Sequence, residues 1–150
     1  MKIKPTFKMS DIDKEFERII LETEKYITEK LFTIGEMCVS YAKSNHTYLD
    51  DTGNLTASIG YGVYRNGSRI GGGVFGGPDE GATAGAKALD ELAKDVKEEW
   101  VLIVVVGMYY GIYVEALGYD VISGSKLIAE REAERMMKDL RKQKYKIKVI

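Results

Sequence analysis

The part of the chain with the most potential for chemistry places three tyrosines and a glutamate within seven residues, at Tyr109, Tyr110, Tyr113 and Glu115. Phenol and carboxyl groups at this spacing could serve as the acid and the base of an active site. Tyrosine rings with a polar tip equally suit a surface that binds another protein. The choice between an enzyme and an association surface depends on whether other residues supply catalytic groups.

The groups that usually complete an active site are scarce in this chain. The single histidine, His46, lies in the polar loop sequence SNHTY, where a solvated side chain is expected. The single cysteine, Cys38, lies within a helical pattern typical of core packing. Adjacent carboxylates at 50–51 and 79–80 lack the ligand spacing of calcium or zinc sites, and no nucleophile-elbow motif is present. The sequence therefore predicts no catalytic residue, no cofactor and no metal, and it favours a protein that is not an enzyme.

A glycine-rich stretch, GGGVFGG at residues 71–77, is the main candidate for a ligand site. Gly71, Gly73 and Gly76 satisfy the G-x-G-x-x-G pattern, which binds a dinucleotide where a buried parallel strand meets a helix N-terminus. Here the glycines follow a hairpin signal, and the sequence PDEGA stands between them and the next predicted helix. Only Arg69 and Thr83 are at hand as polar partners. A hairpin arm is favoured, and a small nucleotide- or ligand-binding module is the alternative.

Composition fits one folded domain over residues 1–150, with an ordered core at about 10–142. A net charge of −1 favours neither a sequence-specific nucleic-acid partner nor a membrane surface. The longest apolar run, at 101–106, is too short to span a bilayer, and no signal peptide is recognised at the amino terminus. We expect the protein to be made and kept in the cytoplasm, unless it leaves as part of a larger particle.

Hydrophobic periodicity predicts a long helix over residues 11–43, opened by a capping box between Ser10 and Asp13. Alternation at 59–63 predicts a strand, and Asn66-Gly67 predicts a hairpin turn that leads into a return strand at 69–75.

Helical spacing resumes over residues 83–99 and again over 125–142, where Met137 is among the positions expected to face inward. The β-branched run at 100–108 predicts a strand buried on both faces, central in the sheet and covered by the first helix. The sequence YKIKVI at 145–150 predicts a short edge strand. Together these elements predict an α+β fold with a small, mostly antiparallel sheet that includes a β-hairpin and packs against a long N-terminal helix and two further helices.

The tyrosines around residue 110 fit an association surface within this fold. If the chain leaves the sheet at Tyr109, a short helical turn puts Tyr109 and Tyr113 on one side and turns Tyr110 and Val114 toward the core. Ten tyrosines against four phenylalanines is a bias that suits such a surface. The predicted interface residues are Tyr109, Tyr110, Tyr113, Glu115 and Tyr119. Glu115 is expected to act as a polar anchor.

Two stretches of the sequence carry motifs that occur in a fixed order. The first stretch, YLDDTGNLTASIGYGVY, carries a turn motif at Thr52, Gly53, Asn54, Leu55, Ser58 and Ile59. The second, VVVGMYYGIYVEALGYDV, follows about fifty residues later, before a final amphipathic helix, and its motif residues are Tyr110, Tyr113, Val114, Glu115 and Gly118. Together the two stretches resemble a family of tailed-bacteriophage head–tail connector proteins, also called neck or tail-completion proteins. The resemblance covers residues 49–137.

The resemblance implies a structural role in the virion. Such a protein forms a ring, for which six subunits are expected, and joins the portal side of the head to the tail tube. It is made in the cytoplasm of a bacterial host, and its partners are copies of itself and other phage neck and tail proteins. The resemblance implies no cofactor and no catalytic residue. Leu117, Tyr119 and the absence of a proline-containing stretch before the last helix depart from the family pattern, so the conformation of loop 118–124 is not predicted.

Overall fold

The structure, a computed structural model, describes residues 6, 8–73 and 75–142. It confirms the α+β fold, with a three-stranded antiparallel sheet packed between helices. Within the described ranges no helix is long and apolar enough to cross a bilayer. In chain order the elements are α1 (Met9–Ser44), α2 (Asn54–Ala57), β1 (Ile59–Arg65), β2 (Ser68–Gly71), α3 (Asp79–Ala93), β3 (Trp100–Val106), α4 (Gly111–Ala116) and α5 (Ser123–Lys142).

Helix α1 confirms the long amphipathic helix but not its predicted capping box. The helix begins at Met9, so Ser10 and Asp13 both lie inside it. The backbone N–H of Lys8 instead donates to Asp11 Oδ2 at 3.2 Å, and this contact closes the first turn. The fully buried positions of α1 begin only at Leu31, so the carboxyl-terminal half of the helix carries most of the packing against the sheet.

The prediction that strand 100–108 is central in the sheet is wrong. The strand order is β2-β1-β3, so β3 lies at an edge and β1 pairs on both sides. The glycines of β1 explain the error, because Gly60 and Gly62 give no hydrophobic signal in the sequence. Their lack of side chains lets Phe75 and Leu89 pack directly on the strand, which is therefore buried on both faces.

Among the described residues, three hydrophobic clusters hold the layers together. One lies between α1 and the sheet and includes Leu31, Val39, Ile59 and Val63. A second lies on the other face of the sheet, where Leu89 of α3 packs with Tyr64 and Val105. The third joins the loop after α1, α2 and the end of β3, and its buried members are Tyr48, Leu55, Met108 and Val121.

Several predicted element boundaries differ from those observed. The turn at Asn66-Gly67 is confirmed, with both residues at positive φ, but the return strand ends at Gly71 rather than at 75. Helix α3 runs from 79 to 93 rather than 83 to 99, and α5 begins two residues earlier than predicted. Met137 of α5, expected to face inward, is 46% exposed. The predicted edge strand at 145–150 lies outside the described residues.

Candidate protein-association site

The first motif of the family resemblance, at residues 52–55, forms the turn into α2 and links α2 to α3. Gly53 takes a left-handed conformation, with φ of 73°, and Thr52 Oγ1 accepts the N–H of Asn54 at 3.3 Å. The Asn54 side chain then bridges to α3, because its Nδ2 donates to Glu80 Oε2 at 2.8 Å and its Oδ1 accepts the N–H of Gly81 at 3.2 Å. This amide satisfies one of the free N–H groups at the start of α3, where Asp79 and Glu80 also favour a helix N-terminus.

The segment around α2 also contacts the second motif of the family resemblance, which follows β3. Leu55, 1% exposed, packs in the third cluster, against which the half-buried Tyr110 and Val114 also pack. Ser58 adds two hydrogen bonds, since its carbonyl accepts the N–H of Gly107 at 3.1 Å and its Oγ accepts the N–H of Met108 at 3.2 Å. Thr52, Gly53, Asn54 and Leu55 therefore shape and support the segment that follows β3.

Helix α4 presents a contiguous apolar surface, which we call the α4 patch. Its members are Tyr109, Ile112, Tyr113 and Leu117; Ile112 and Tyr113 follow Tyr109 by three and four residues, and Leu117 follows Tyr113 by four, so they share one side of the helical turn. The exposed fractions of their side chains are large, at 81% for Tyr109, 73% for Ile112, 67% for Tyr113 and 77% for Leu117. The structure thus confirms that Tyr109 and Tyr113 lie on the outer side while Tyr110 and Val114 pack inward. Burial raises the pKa of the Tyr110 phenol, as expected for an inward position.

Ile112 and Leu117 are members of the patch that the sequence reasoning missed. Neither side chain carries a polar group, but Ile112 follows Tyr109 by three residues and Leu117 follows Tyr113 by four, which is the helical repeat of one face. The patch is therefore more apolar than the tyrosines alone suggested.

Glu115 has a structural role within the chain. Its Oε1 accepts the N–H of Ile122 at 3.0 Å, the N–H of Ser123 at 2.8 Å and the hydroxyl of Ser123 at 2.7 Å, so it caps the start of α5. Burial by itself would raise the pKa of Glu115, but these hydrogen bonds outweigh it and hold the pKa below its usual range. The structure gives this carboxylate internal partners, so its predicted use as an anchor for another protein would have to compete with them.

The loop at 118–124, whose conformation the sequence did not predict, is fixed mainly by Asp120. Its Oδ2 accepts the Tyr41 hydroxyl at 3.2 Å, its Oδ1 accepts the N–H of Gly124 at 3.0 Å, and its own N–H donates to Thr47 Oγ1 at 3.3 Å. The bond from Tyr41 ties the loop to α1, and the bond to Thr47 ties it to the segment that follows α1. Tyr119 beside it is 43% exposed and lies two residues beyond the last member of the α4 patch.

The outer edge of β3 lies next to the α4 patch and is not paired with another described strand. Gly107 donates to Ser58, and Asn66 donates to Glu99 O, so the odd-numbered residues of the strand bond to β1. The even-numbered residues 100–106 therefore direct their N–H and C=O groups outward. A groove of about 440 Å³ runs from the end of this strand to Ile112, with Leu92 and Ile122 on its walls. The strand WVLIVVV has none of the charges or prolines that usually protect a free edge.

The glycine-rich stretch lies closer to a helix N-terminus than predicted, because α3 begins at Asp79 and not after PDEGA. The surroundings nevertheless oppose a phosphate. Asp79 and Glu80 occupy the first turn, the N–H of Gly81 is taken by Asn54, and Arg69 donates to the carbonyl of Gly72 at 2.8 Å. Two carboxylates at this helix start repel an anion that the N-terminus would otherwise attract.

We therefore expect no nucleotide to bind at residues 71–77. Thermal unfolding measured with millimolar ATP, GTP, NAD or FAD should show the same midpoint as without ligand. Saturation at 100 times Kd would add about 2.7 kcal/mol to the free energy of unfolding and raise the midpoint by several degrees. Such a rise for one nucleotide, abolished when Gly73 is replaced, would overturn the expectation and support the ligand-binding alternative.

The remaining candidate catalytic residues are used in packing. The Cys38 thiol is fully buried and lies 3.4 Å from Ser125 O, and burial raises its pKa. His46, expected to be solvated, is half-buried instead, with its ring stacked on Tyr48 at a centroid distance of 4.4 Å. Among the residues that the structure describes, no three histidine, cysteine or acidic side chains are grouped so that they could hold a metal ion.

Comparison of the chain with protein-family models, with curated proteins and with solved structures found no match. Inferences about function therefore depend on the geometry of the α4 patch and on the resemblance of the two sequence stretches.

Proposed function

We propose that the protein is a structural virion protein: a subunit of a ring that joins the portal side of a phage head to the tail tube. It is made in the cytoplasm of the bacterial host and acts as part of the virion, with copies of itself and other phage neck and tail proteins as partners. The ring is proposed to contain six subunits. The observation that carries the proposal is the α4 patch, which is apolar, exposed and rigidly supported.

The exposure of the patch supports association because it is costly in an isolated chain. Four large side chains on α4 and the residues that flank it keep two thirds or more of their surface in water. Single exposed apolar residues are ordinary on protein surfaces, but contiguous ones mark interaction sites. Tyrosines are also enriched at the centres of interfaces, where a ring is buried and its hydroxyl finds a partner.

The support beneath the patch makes it suitable as a fixed contact. Tyr110 and Val114 anchor the inner side of α4 in the third cluster, and Glu115 ties the helix to the start of α5. A contact surface that is already ordered loses little conformational entropy when a partner binds. The two stretches that resemble the connector family therefore act together. Residues of the first stretch pack beneath α4, and residues of the second stretch are exposed on its outer side.

The free edge of β3 adds a second means of association beside the patch. Its outward N–H and C=O groups can pair with an extended segment, and its apolar composition favours burial. A ring needs each subunit to present two different faces, one to each neighbour. A surface that combines an aromatic patch with an open strand edge is well suited to be one of them.

The proposal predicts that Tyr113→Ala weakens self-association without unfolding the chain. Truncation of a central interface residue typically costs about 2 kcal/mol or more of association free energy. Particle mass should therefore shift from oligomer toward monomer in light scattering after gel filtration, while the far-ultraviolet circular dichroism stays that of the wild type.

Met137→Ala is the matched control, because Met137 is also apolar and exposed but lies on α5, outside the patch. It should leave the particle mass unchanged. If Tyr113→Ala unfolds, the aromatic side chain of Tyr113 belongs to the hydrophobic core of the subunit. If the variant keeps both its fold and its oligomeric mass, the α4 patch is not the contact.

The phage role is tested separately by genetic context. Genes for a portal, a capsid and a tail tube are expected beside the gene for this chain. A self-associating protein encoded among unrelated metabolic genes would leave the association surface intact but contradict the connector role.

A further inference from the structure

The amino-terminal part of α1 extends past the end of the sheet. The sheet ends where Arg65 of β1 pairs with Trp100 of β3, and Arg65 is joined to α1 by an ion pair with Glu24. From Glu24, α1 continues for fifteen residues to Met9, a length of about 22 Å at 1.5 Å per residue. This part of the helix is already formed, and it projects from the layer in which the rest of α1 packs.

The buried side of α1 continues along this projecting part as exposed apolar side chains. Ile27 packs against the first cluster. Three large apolar side chains precede it by seven, eleven and eighteen residues, which are nearly whole numbers of helical turns, so they lie on the same side of the helix. We call them the α1 stripe: Ile20, Phe16 and Met9. Their exposed fractions are 55%, 52% and 70%.

The α1 stripe and the α4 patch lie at opposite ends of the molecule. The loop that follows α4 is held at the carboxyl end of α1, because Tyr41 donates to Asp120. Ile20 lies 21 residues before Tyr41, or about 32 Å along the helix. Two apolar surfaces fixed to opposite ends of one helix cannot meet within a chain. They can meet between copies, and a contact between unlike faces repeats from head to tail, as a ring requires.

The two surfaces have matching shapes. Phe16 and Ile20 are four residues apart on α1, and Tyr109, Tyr113 and Leu117 form a row of the same spacing along α4 and its flanks. Rows of side chains four residues apart interlock in the commonest class of helix-on-helix packing. A helix laid across an apolar groove is also a recurrent mode of protein recognition, with anchors at the spacings found in the α1 stripe.

The size of the α4 patch favours a partner that covers more than the patch. Its four side chains expose roughly 600 Å², whereas each partner in a stable interface buries about 800 Å². The groove beside the patch, with Leu92 and Ile122 on its walls, extends the apolar surface along the end of β3. A projecting helix about 22 Å long and about 10 Å wide can cover the patch and the groove together.

We infer that the α1 stripe of one copy packs across the α4 patch of the next copy. The inference rests on the proposed function, and it names the second of the two faces that each subunit presents to its neighbours. Helix α1 is formed up to Met9, so its docking loses little conformational entropy.

Two variants that each lose one face test the inference when they are mixed. Phe16→Gln/Ile20→Gln loses the anchors of the α1 stripe, and Tyr113→Ala loses part of the α4 patch. Glutamine is uncharged and a good helix former, so net charge and helicity are kept. Each variant alone should be a monomer near 16.8 kDa in native mass spectrometry. Equal amounts should form a pair with one chain of each kind and nothing larger, because one intact stripe and one intact patch remain to meet.

Leu21→Gln is the matched control for the glutamine variant. Leu21 is 65% exposed on the same part of α1 but lies about 100° around the helix from Ile20. This variant should keep the mass of the wild-type assembly. If it loses the assembly as completely as the glutamine variant does, the contact is not specific to the α1 stripe, and the inference is wrong.

Chemical cross-linking gives a second measurement that needs no loss of assembly. Ile20→Cys and Ile112→Cys are made in separate chains, and the native Cys38 is buried. A short bismaleimide should join the two variants into a covalent dimer when they are mixed, and it should join neither variant to itself. A wild-type ring without this mixed dimer would overturn the inference.

Failure of the inference and failure of the proposed ring give different results. If the glutamine variant keeps the wild-type mass while Tyr113→Ala loses it, the α4 patch meets another surface, and the ring remains. If both variants are monomers and their mixture stays monomeric, the two faces do not meet each other. Either result overturns the inference alone. A wild-type protein that is itself a monomer contradicts the ring and the inference together.

Discussion

Replacement of Gly107 by alanine is expected to leave little folded protein. A Cβ at this position would overlap the backbone of Ala84 and Gly85 in α3, and backbone atoms cannot rotate away as a side chain could. Relief requires either that α3 moves off the end of β3 or that Gly107 moves away from α3 and loses its hydrogen bond to Ser58 O. We expect the free energy of unfolding, measured by urea titration, to fall by about 3 kcal/mol or more.

Gly76→Ala is the matched control for this substitution. An added Cβ at Gly76 meets no atom within 4 Å, and the residue does not have the positive φ that disfavours other side chains. Its stability should therefore equal that of the wild type or rise slightly, since alanine restricts the unfolded chain more than glycine does. Equal stability of the Gly107 and Gly76 variants would show that β3 and α3 do not approach each other as closely as described.

Replacement of Val105 by aspartate is the second change with a large expected effect. Val105 is 5% exposed and packs with Tyr64 and Leu89 between the sheet and α3. A carboxylate there would be buried without a partner of opposite charge, which costs several kcal/mol, on the order of the whole stability of a small domain. Circular dichroism at neutral pH should show a largely unfolded chain. Ile70→Asp on β2, at a position 41% exposed, should remain folded.

The pH dependence of the Val105 variant gives an independent check. Burial would raise the pKa of the new carboxyl group above its unfolded value, so its penalty is greatest at neutral pH and shrinks as the pH falls through the folded-state pKa. Mild acid should therefore recover part of the folded signal. A variant that is as stable as the wild type at neutral pH would place Val105 in contact with water.

The elements with a strong periodic pattern were predictable from the sequence, and those that depend on distant contacts were not. The stripe of α1 and the Asn66-Gly67 turn carry their own local signals, and both were found. The edge position of β3 follows instead from the central position of β1. That position depends on Gly60 and Gly62, which leave room for Phe75 and Leu89 to pack on β1 but give no hydrophobic signal in the sequence. The first turn of α3 is also stabilised by Asn54, which lies 27 residues before the Gly81 N–H that it accepts, and no local pattern predicts this contact.

The residues of the candidate site also divide into those predictable from local spacing and those that depend on distant contacts. Helical spacing sufficed to place Tyr109 and Tyr113 outward and Tyr110 and Val114 inward. The internal role of Glu115 was not predictable, because it requires the chain to turn between α4 and α5 so that Ser123 returns to the carboxylate. That turn is held by Asp120 through a contact with Tyr41, 79 residues away in the chain.

The mass of the assembled wild-type protein, measured by native mass spectrometry, tests the central claim most directly. The account predicts one closed species with a fixed number of subunits, expected to be six, and each subunit contributes 16.8 kDa. That species should be lost in Tyr113→Ala and retained in Met137→Ala. A monomer of 16.8 kDa up to the highest soluble concentration would contradict the proposal that the α4 patch builds a ring.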